Sequence, residues 1–245
     1  MDTFFNYIND YRSDIKMRLG KGTGNNVTHS IKSNFSKESV HIDLVYLIIK
    51  GIFDRVISLL AIIILSPLLL LISMAIKMND FNGPVIYAQS RMGKGGTSFK
   101  MFKFRSMSVN AENILKSNVD LYSKYLSNNF KLLPEDDPRI TKIGLFLRKT
   151  SLDELPQFFN ILIGDMSLIG PRPVVSSELS EYDQEKILSV KPGAMGLWQA
   201  KGRSKIGYPR RAKIEEYYVD HACLRLDLKI LVANIINIFK ENGAY

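Results

Sequence analysis

From residue 56 to residue 76 the chain runs 21 residues without a charge, and a Ser66-Pro67 pair stands at the centre of the run. At about 1.5 Å of rise per residue, a helix of that length reaches roughly 30 Å, the thickness of a bilayer's hydrocarbon core. The pattern therefore predicts a membrane segment. A proline at its midpoint lacks an N–H and crowds the carbonyl four residues earlier, so a kink or break is expected there. Lys50 and Arg55 precede the run, while Lys77, Arg91, Lys94, Lys100, Lys103 and Arg105 follow it. Lys and Arg beside a membrane segment tend to stay cytoplasmic, and basic charge at both ends suits a helix that dips in and returns. The expectation is a re-entrant helix-break-helix over residues 41–80, broken at Ser66 and Pro67; a single kinked span is the alternative. A signal peptide does not fit, because the run starts at residue 56, is too long and has no small-residue cleavage site after it.

Elsewhere the periodicity is that of a small folded domain. Residues 84–87 and 99–105 read as two strands around the Gly-rich turn at 91–96. That turn is not a phosphate loop of the G-x-x-x-x-G-K-[ST] kind, since Lys94 precedes the last glycines. Between 112 and 130, Ile114, Leu115, Val119, Tyr122, Tyr125 and Leu126 recur at helical spacing and predict an amphipathic helix. Leu228, Leu231, Ile235, Ile238 and Phe239 do the same over 227–240, as a membrane-surface helix or a core-packing one. Residues 1–40 read as a partly flexible extension with a short helix near Phe4, Phe5, Ile8 and Tyr11. Residues 81–245 suffice for one compact domain. The fold class expected is α/β, mostly helical with a small β-hairpin or sheet, in a monotopic membrane protein with interfacial amphipathic helices.

Charge and cysteine usage narrow the chemistry. The 33 basic and 24 acidic residues leave a net charge of +9, which suits anionic lipid, nucleic acid or a phosphorylated substrate. The lone Cys223 and the scattered His29, His41 and His221 argue against zinc or redox chemistry.

The densest chemistry lies between 148 and 173. In Arg148-Lys149-Thr150-Ser151-Leu152-Asp153-Glu154-Leu155-Pro156-Gln157, Ser151 and Glu154 have the S-x-x-E spacing of a helix capping box. Adjacent carboxylates also suit phosphoryl chemistry, where one attacks phosphorus and its neighbour holds a divalent cation. Arg148 is placed to reach the same phosphates. Arg172 is fixed between Pro171 and Pro173, as a rigid phosphate- or base-facing arginine or as a plain turn. Lys191, Lys201, Arg203, Lys205, Arg210, Arg211 and Lys213 then occur with no acidic residue among them. Two other classes fit parts of this pattern. In a membrane-anchored scaffold Asp153 is a helix cap; in a membrane-tethered nucleic-acid binder the basic run with Trp198 is the contact surface.

Taken in order, these segments resemble the bacterial sugar transferases, the monotopic polyprenol-phosphate phosphoglycosyl transferases that start capsule, O-antigen and exopolysaccharide assembly. The resemblance runs from about Lys50 onward. It rests on Ile52-Phe53-Asp54 before the run with Ser66-Pro67, and on the Arg91-x-Gly93 turn leading to Lys103-Phe104-Arg105-Ser106-Met107. It continues through 151–157, Gly164-Asp165-Met166-Ser167, Gly170-Pro171-Arg172-Pro173, and Pro192-Gly193 to Gly202-Arg203. What it implies is a two-step exchange at the cytoplasmic face of the bacterial inner membrane. Asp153 matches the family's nucleophile toward a UDP-sugar, with release of UMP, and undecaprenyl phosphate then takes the phosphosugar. Glu154, with Asp153, matches the residue that holds Mg2+. Arg148, Arg172, Pro171, Pro173, Lys103, Arg105, Gln199 and Arg203 match or lie within motifs expected near the donor. The family often has two basic residues before the Ile-Phe-Asp triplet, whereas here Gly51 follows Lys50, so lipid-phosphate binding there is expected to rest on Lys50 or Arg55. A homodimer is an expectation by analogy, and no nucleic-acid partner is implied.

Overall fold

The computed structural model describes residues 43–127, 132–202 and 206–240. The expected N-terminal extension, with its short helix, lies outside the described residues, as does Arg203. Helix α1 (Leu44–Asn79) is 36 residues long and is started by Asp43, whose carboxylate accepts the Val45 N–H at 2.9 Å. Only 11% of its most apolar window is buried within the protein, and Ile63, Ile64, Leu70 and Leu71 are exposed. By length and composition it is long enough to cross a membrane.

The break expected at Ser66-Pro67 is absent, since helical winding continues through Pro67. Pro67 has no N–H to give the Ile63 carbonyl, and the Ser66 hydroxyl donates to that oxygen instead, at 2.8 Å. Replacement of the missing donor keeps the turn closed.

Both ends of α1 pack on the rest of the fold. Toward its start, Ile57 joins the main core around Ile161, Met166, Leu168 and Ile230. Toward its end, Ile72 and Ile76 meet Phe104 and Leu147, with Leu68 and Leu69 against them. Strand β1 (Ile86–Met92) pairs antiparallel with β2 (Ser98–Phe104), with Ile86 opposite Phe104 and Met92 opposite Ser98. The turn between them needs its glycines, because Gly95 and Gly96 adopt φ of 70° and 76°.

The single helix predicted over 112–130 is two, α2 (Ala111–Ser117) and α3 (Val119–Ser127). Asn118 between them is extended, and its side-chain oxygen accepts the Leu121 N–H at 2.9 Å, so it stops one helix and caps the next. Helix α4 (Lys142–Lys149) is capped by the Thr141 hydroxyl, and α5 (Gln157–Ile163) follows. Strand β3 (Ser167–Ile169) runs parallel to β4 (Gly193–Met195). Helices α6 (Gln184–Ile187), α7 (Leu197–Lys201), α8 (Arg210–Asp220) and α9 (Leu224–Lys240) complete a mostly helical domain. Ile230 and Asn234 of α9 face the core, while Leu224, Leu228, Val232, Ile235 and Ile236 form an exposed stripe. The core-packing reading of this helix is therefore met by Ile230, with Leu231 packed against the same core.

Asn160 ties α5 to β2. Fully buried, it accepts the Phe102 N–H at 2.8 Å and donates to the Lys100 carbonyl at 2.7 Å. Asn160→Ala is expected to cost about 3 kcal/mol, because it leaves two part-buried backbone groups of β2 without their partner as well as opening a gap at a fully buried position. Chemical denaturation of both proteins in the same detergent checks this, and an unchanged midpoint would contradict it.

Candidate active site

Ser151 ends α4 in the left-handed region, at φ 57°. This reversal lets the short 3-10 turn Leu152–Glu154 carry the Asp153 side chain inward, where the residue is 8% exposed. The expected capping box does not form: the Ser151 side chain makes no cap hydrogen bond, and only its carbonyl accepts the Glu154 N–H. A capping serine needs extended backbone, which a left-handed residue lacks. The Glu154 side chain instead meets Lys103 of β2, whose Nζ donates to Oε1 at 2.7 Å.

Burial, and after it the neighbouring charge of Glu154, push the Asp153 carboxyl up to about 6, while Lys103 and Arg148 act in the opposite direction. Arg148 donates through Nε to the Ser106 hydroxyl at 2.8 Å, and its terminal nitrogens have no hydrogen-bond partner among the described residues. The result is a buried carboxylate with a half-exposed carboxylate beside it and two cations whose fields reach it.

A second polar group is built around Arg172. Pro171 and Pro173 have no N–H, so the Arg172 amide is the only backbone donor of the three, and it goes to Glu215 of α8. The Pro171 carbonyl accepts the Gly193 N–H at 2.8 Å, and the Pro173 carbonyl accepts Arg91 Nη1 at 3.1 Å. Each residue of the triplet is thus gripped by its backbone, and the Arg172 guanidinium lies 3.4 Å from both Glu178 carboxyl oxygens. Burial, then the charge of Arg172, hold Arg91 below the usual arginine range, at about 10; Glu154 is among the charges acting on it. Arg91 therefore lies within electrostatic reach of both groups.

Arg211 stacks on Trp198, 4.1 Å from the ring centroid, and lies 5.3 Å from that of Tyr208. Several buried polar atoms here have no partner among the described residues: Arg91 Nε, Arg211 Nε and Nη2, Trp198 Nε1, Gln199 Oε1 and Glu215 Oε1. Glu215 is wholly enclosed and is pushed up to about 7 by burial.

Asp153, Glu154, Arg148 and Lys103 are thus brought together, while Arg172 belongs to the second polar group, with Glu178 and Glu215. Arg105 is drawn elsewhere: it holds the residue after α1, binding the Asp80 carboxylate at 3.0 Å and its carbonyl at 2.9 Å. Lys50 is paired with Asp227 at 2.7 Å. Gln199 donates to the Ala194 carbonyl at 3.3 Å. Of the seven clustered positives, Arg211 is buried and Lys213 pairs with Glu216 at 2.9 Å. Glu178 and Glu215 escape sequence reasoning, although Glu215 stands one helical turn after Arg211, a spacing that marks a shared face.

Residues 45–241 match the family model described as bacterial sugar transferase. Over 220 residues the chain is 42% identical to the undecaprenyl-phosphate galactose phosphotransferase of Salmonella typhimurium, a match covering 88% of this chain and 44% of that protein. It is 43% identical over 202 residues to the exopolysaccharide production protein ExoY of Sinorhizobium fredii, covering 80% and 88%. It is 36% identical over 211 residues to the UDP-glucose:undecaprenyl-phosphate glucose-1-phosphate transferase of Klebsiella pneumoniae, covering 81% and 42%. The chain thus spans less than half the length of the Salmonella and Klebsiella relatives and most of ExoY.

Proposed function

The chain belongs to the bacterial sugar transferase family, and on that premise we propose that it transfers a sugar-1-phosphate from a UDP-sugar to undecaprenyl phosphate, the first membrane step of a surface polysaccharide. The observation that carries this reading is Asp153: a buried carboxylate held near 6, flanked by Glu154, Lys103 and Arg148. At neutral pH it is ionised yet poorly solvated, which is the condition of an activated nucleophile. Its oxygen attacks the sugar-proximal phosphorus, the bond from that phosphorus to the bridging oxygen breaks, and UMP leaves. An oxygen of undecaprenyl phosphate then attacks the same phosphorus and frees the carboxylate. Arg148 and Lys103 stand where they offset phosphate charge as it builds up.

Glu154 and Asp153 would hold Mg2+. Among the described residues no group of three metal-ligating side chains exists, but Mg2+ is commonly held by one or two carboxylates with substrate phosphates and water. The repulsion that raises Asp153 marks a place where positive charge is favourable. When bound, the ion neutralises phosphate oxygens. The buried donors Arg91 Nε, Arg211 Nε and Nη2 and Trp198 Nε1 support an anionic, hydrogen-bonding nucleotide near Arg172.

The packing of α1 supports a seat of this unbroken helix along one leaflet rather than a crossing. Ile57 and Leu68 both touch the same domain, yet at about 1.5 Å per residue they are roughly 17 Å apart, well short of the ~30 Å a crossing needs. The exposed stripe of α9 suits the same interface. We place the domain on the cytoplasmic side, where nucleotide sugars are found and where the flanking basic residues favour it.

The test is UMP release by membrane-purified protein from a panel of UDP-sugars with Mg2+ and undecaprenyl phosphate. Sustained release is expected for one donor, dependent on the lipid and on Glu154, with Glu154→Gln at least about a hundredfold slower. No release from any donor would return the scaffold reading to first place.

A further inference from the structure

Three guanidinium groups share the region of the Pro171-Arg172-Pro173 triplet. Arg172 and Arg211 both act on Arg91 and disfavour its charge, and Arg91 and Arg211 are buried. The carboxylates set among them, Glu178 and Glu215, are held in different ways. Glu178 is partly exposed, and its oxygens lie a long 3.4 Å from Arg172 Nη1. Glu215 is enclosed, and its Oε2 accepts the Arg172 backbone N–H, the one amide donor that the triplet has.

Holding one amide does not require a carboxylate. Asn160 of this same protein holds two backbone groups of β2 with a neutral side chain, and a neutral group is far less costly to bury than an ion. At position 215 the chain instead encloses a carboxyl that burial pushes up to about 7, and its Oε1 has no hydrogen-bond partner among the described residues. What a carboxylate supplies there, and an amide does not, is charge. Arg211 and Arg172 favour the ionised form of Glu215, and Glu178 opposes it. Arg211 stands one turn earlier on α8 and lays its guanidinium on Trp198 of α7. Helix α8 thus brings a cation against α7 and an anion against the triplet, and the anion balances cations that otherwise repel one another.

We propose that Glu215 is a positioning residue for the sugar donor: its carboxylate holds the Arg172 backbone and balances the charges of Arg172 and Arg211, and so fixes where the Arg172 guanidinium meets the UDP-sugar. This role rests on the transferase reading given above. Glu215 itself touches no reacting atom.

Glu215→Gln keeps the size of the side chain and an oxygen for the Arg172 N–H, and removes the charge. Steady-state UMP release at saturating undecaprenyl phosphate and varied UDP-sugar is expected to show the donor KM raised about tenfold, with kcat within about threefold of the wild-type value, as for lost binding. Glu216→Gln is the matched control. Glu216 is the next residue of α8 and accepts a different amide, that of Asp183, at 3.0 Å, so its variant is expected to leave the donor KM unchanged. Trp198 is the chain's only tryptophan, and its emission with no donor present reads whether Arg211 still lies on the ring. A change is expected in Glu215→Gln and none in Glu216→Gln. Should Glu215→Gln not fold, Glu215→Asp and Glu215→Asn make the same comparison of charge at one carbon less, with the higher KM expected for Asn. A donor KM unchanged in Glu215→Gln, raised as much by Glu216→Gln, or equal in the Asp and Asn variants overturns the proposal while the wild-type chain still turns over. A wild-type chain that releases no UMP overturns the transferase reading, and the role of Glu215 in donor binding falls with it.

Discussion

Replacing Asp153 by Asn is expected to stop UMP release and, at the same time, to make the protein more stable above pH 6. Loss of the nucleophile should lower turnover by on the order of 10³-fold or more, since an amide does not form the bond to phosphorus and the neighbouring carboxylate, Glu154, is turned to Lys103. The gain in stability follows from burial. The folded carboxyl titrates near 6, above its ordinary value of 3.8, so folding disfavours the charged form. The stability linked to this group is whole below the ordinary value and is lost as pH rises through about 6. At pH 8 the wild-type chain therefore carries a cost of about 3 kcal/mol that an amide does not. Thermal unfolding of both proteins at pH 8 and pH 4 measures it: the variant should melt higher at pH 8, with the difference closing at pH 4. Equal melting at both values would mean that Lys103 and Arg148 already compensate the charge, and that Asp153 is no more strained than a surface carboxylate. Turnover of the wild-type enzyme should likewise rise between pH 5 and pH 7 as Asp153 ionises.

Gly144→Ala should be the most disruptive single-methyl change in the region of the site. A Cβ at Gly144 would lie 1.8 Å from the Ser106 carbonyl oxygen and 2.6 and 2.7 Å from the carbon atoms behind it, all backbone. No rotamer relieves that contact. Ser106 is also where α4 is fastened, through the Thr141 N–H to its carbonyl at 3.1 Å and through Arg148 Nε to its hydroxyl. One methyl must therefore lift the helix that carries Arg148. A loss of about 3 kcal/mol or more is expected, roughly 10 °C in Tm for a domain of this size, together with slower turnover. Gly95→Ala is the contrast: nothing lies within 4 Å of its Cβ position, and only its φ of 70° resists, at about 1 kcal/mol. If the two variants melt together, the approach of α4 to Ser106 is looser than described.

The hairpin was legible because alternation and a Gly-rich turn are local signals: β2 falls where that pattern puts it, while β1 starts two residues later than expected and runs on through Arg91 and Met92, which the pattern had put in the turn. Features decided by distant partners were not. The proline rule predicts a break at Pro67 but says nothing of a serine one residue earlier that can take over the lost hydrogen bond. The spacing of Ser151 and Glu154 signals a cap, yet the inward turn of Asp153 demands a left-handed Ser151 and leaves its hydroxyl unused. Arg105 and Lys50 read as free cations until Asp80 and Asp227, far along the chain, are seen to hold them. Asp153, Glu154, Arg148 and Lys103 come together because α4 packs on the segment that follows β2, a contact that depends on the absence of a side chain at Gly144. Glu215 was invisible because one of two adjacent Glu residues in a helix of mixed charge reads as surface, and only the fold shows it enclosed beneath the Arg172 amide.

The polar knot at the start of α1 bears on how the protein is made. Tyr46 and Lys50 both bind Asp227, across 181 and 177 residues of chain. At a synthesis rate of about 5–20 residues per second, α1 leaves the ribosome roughly 10–35 seconds before its carboxylate partner exists. Throughout that interval the helix must rest in lipid with its anchoring tyrosine and lysine unmatched. Seating of the membrane helix is thus a late event in biogenesis, completed only when α9 arrives, and a ribosome stalled before that point leaves behind an inserted helix with no catalytic domain fastened to it.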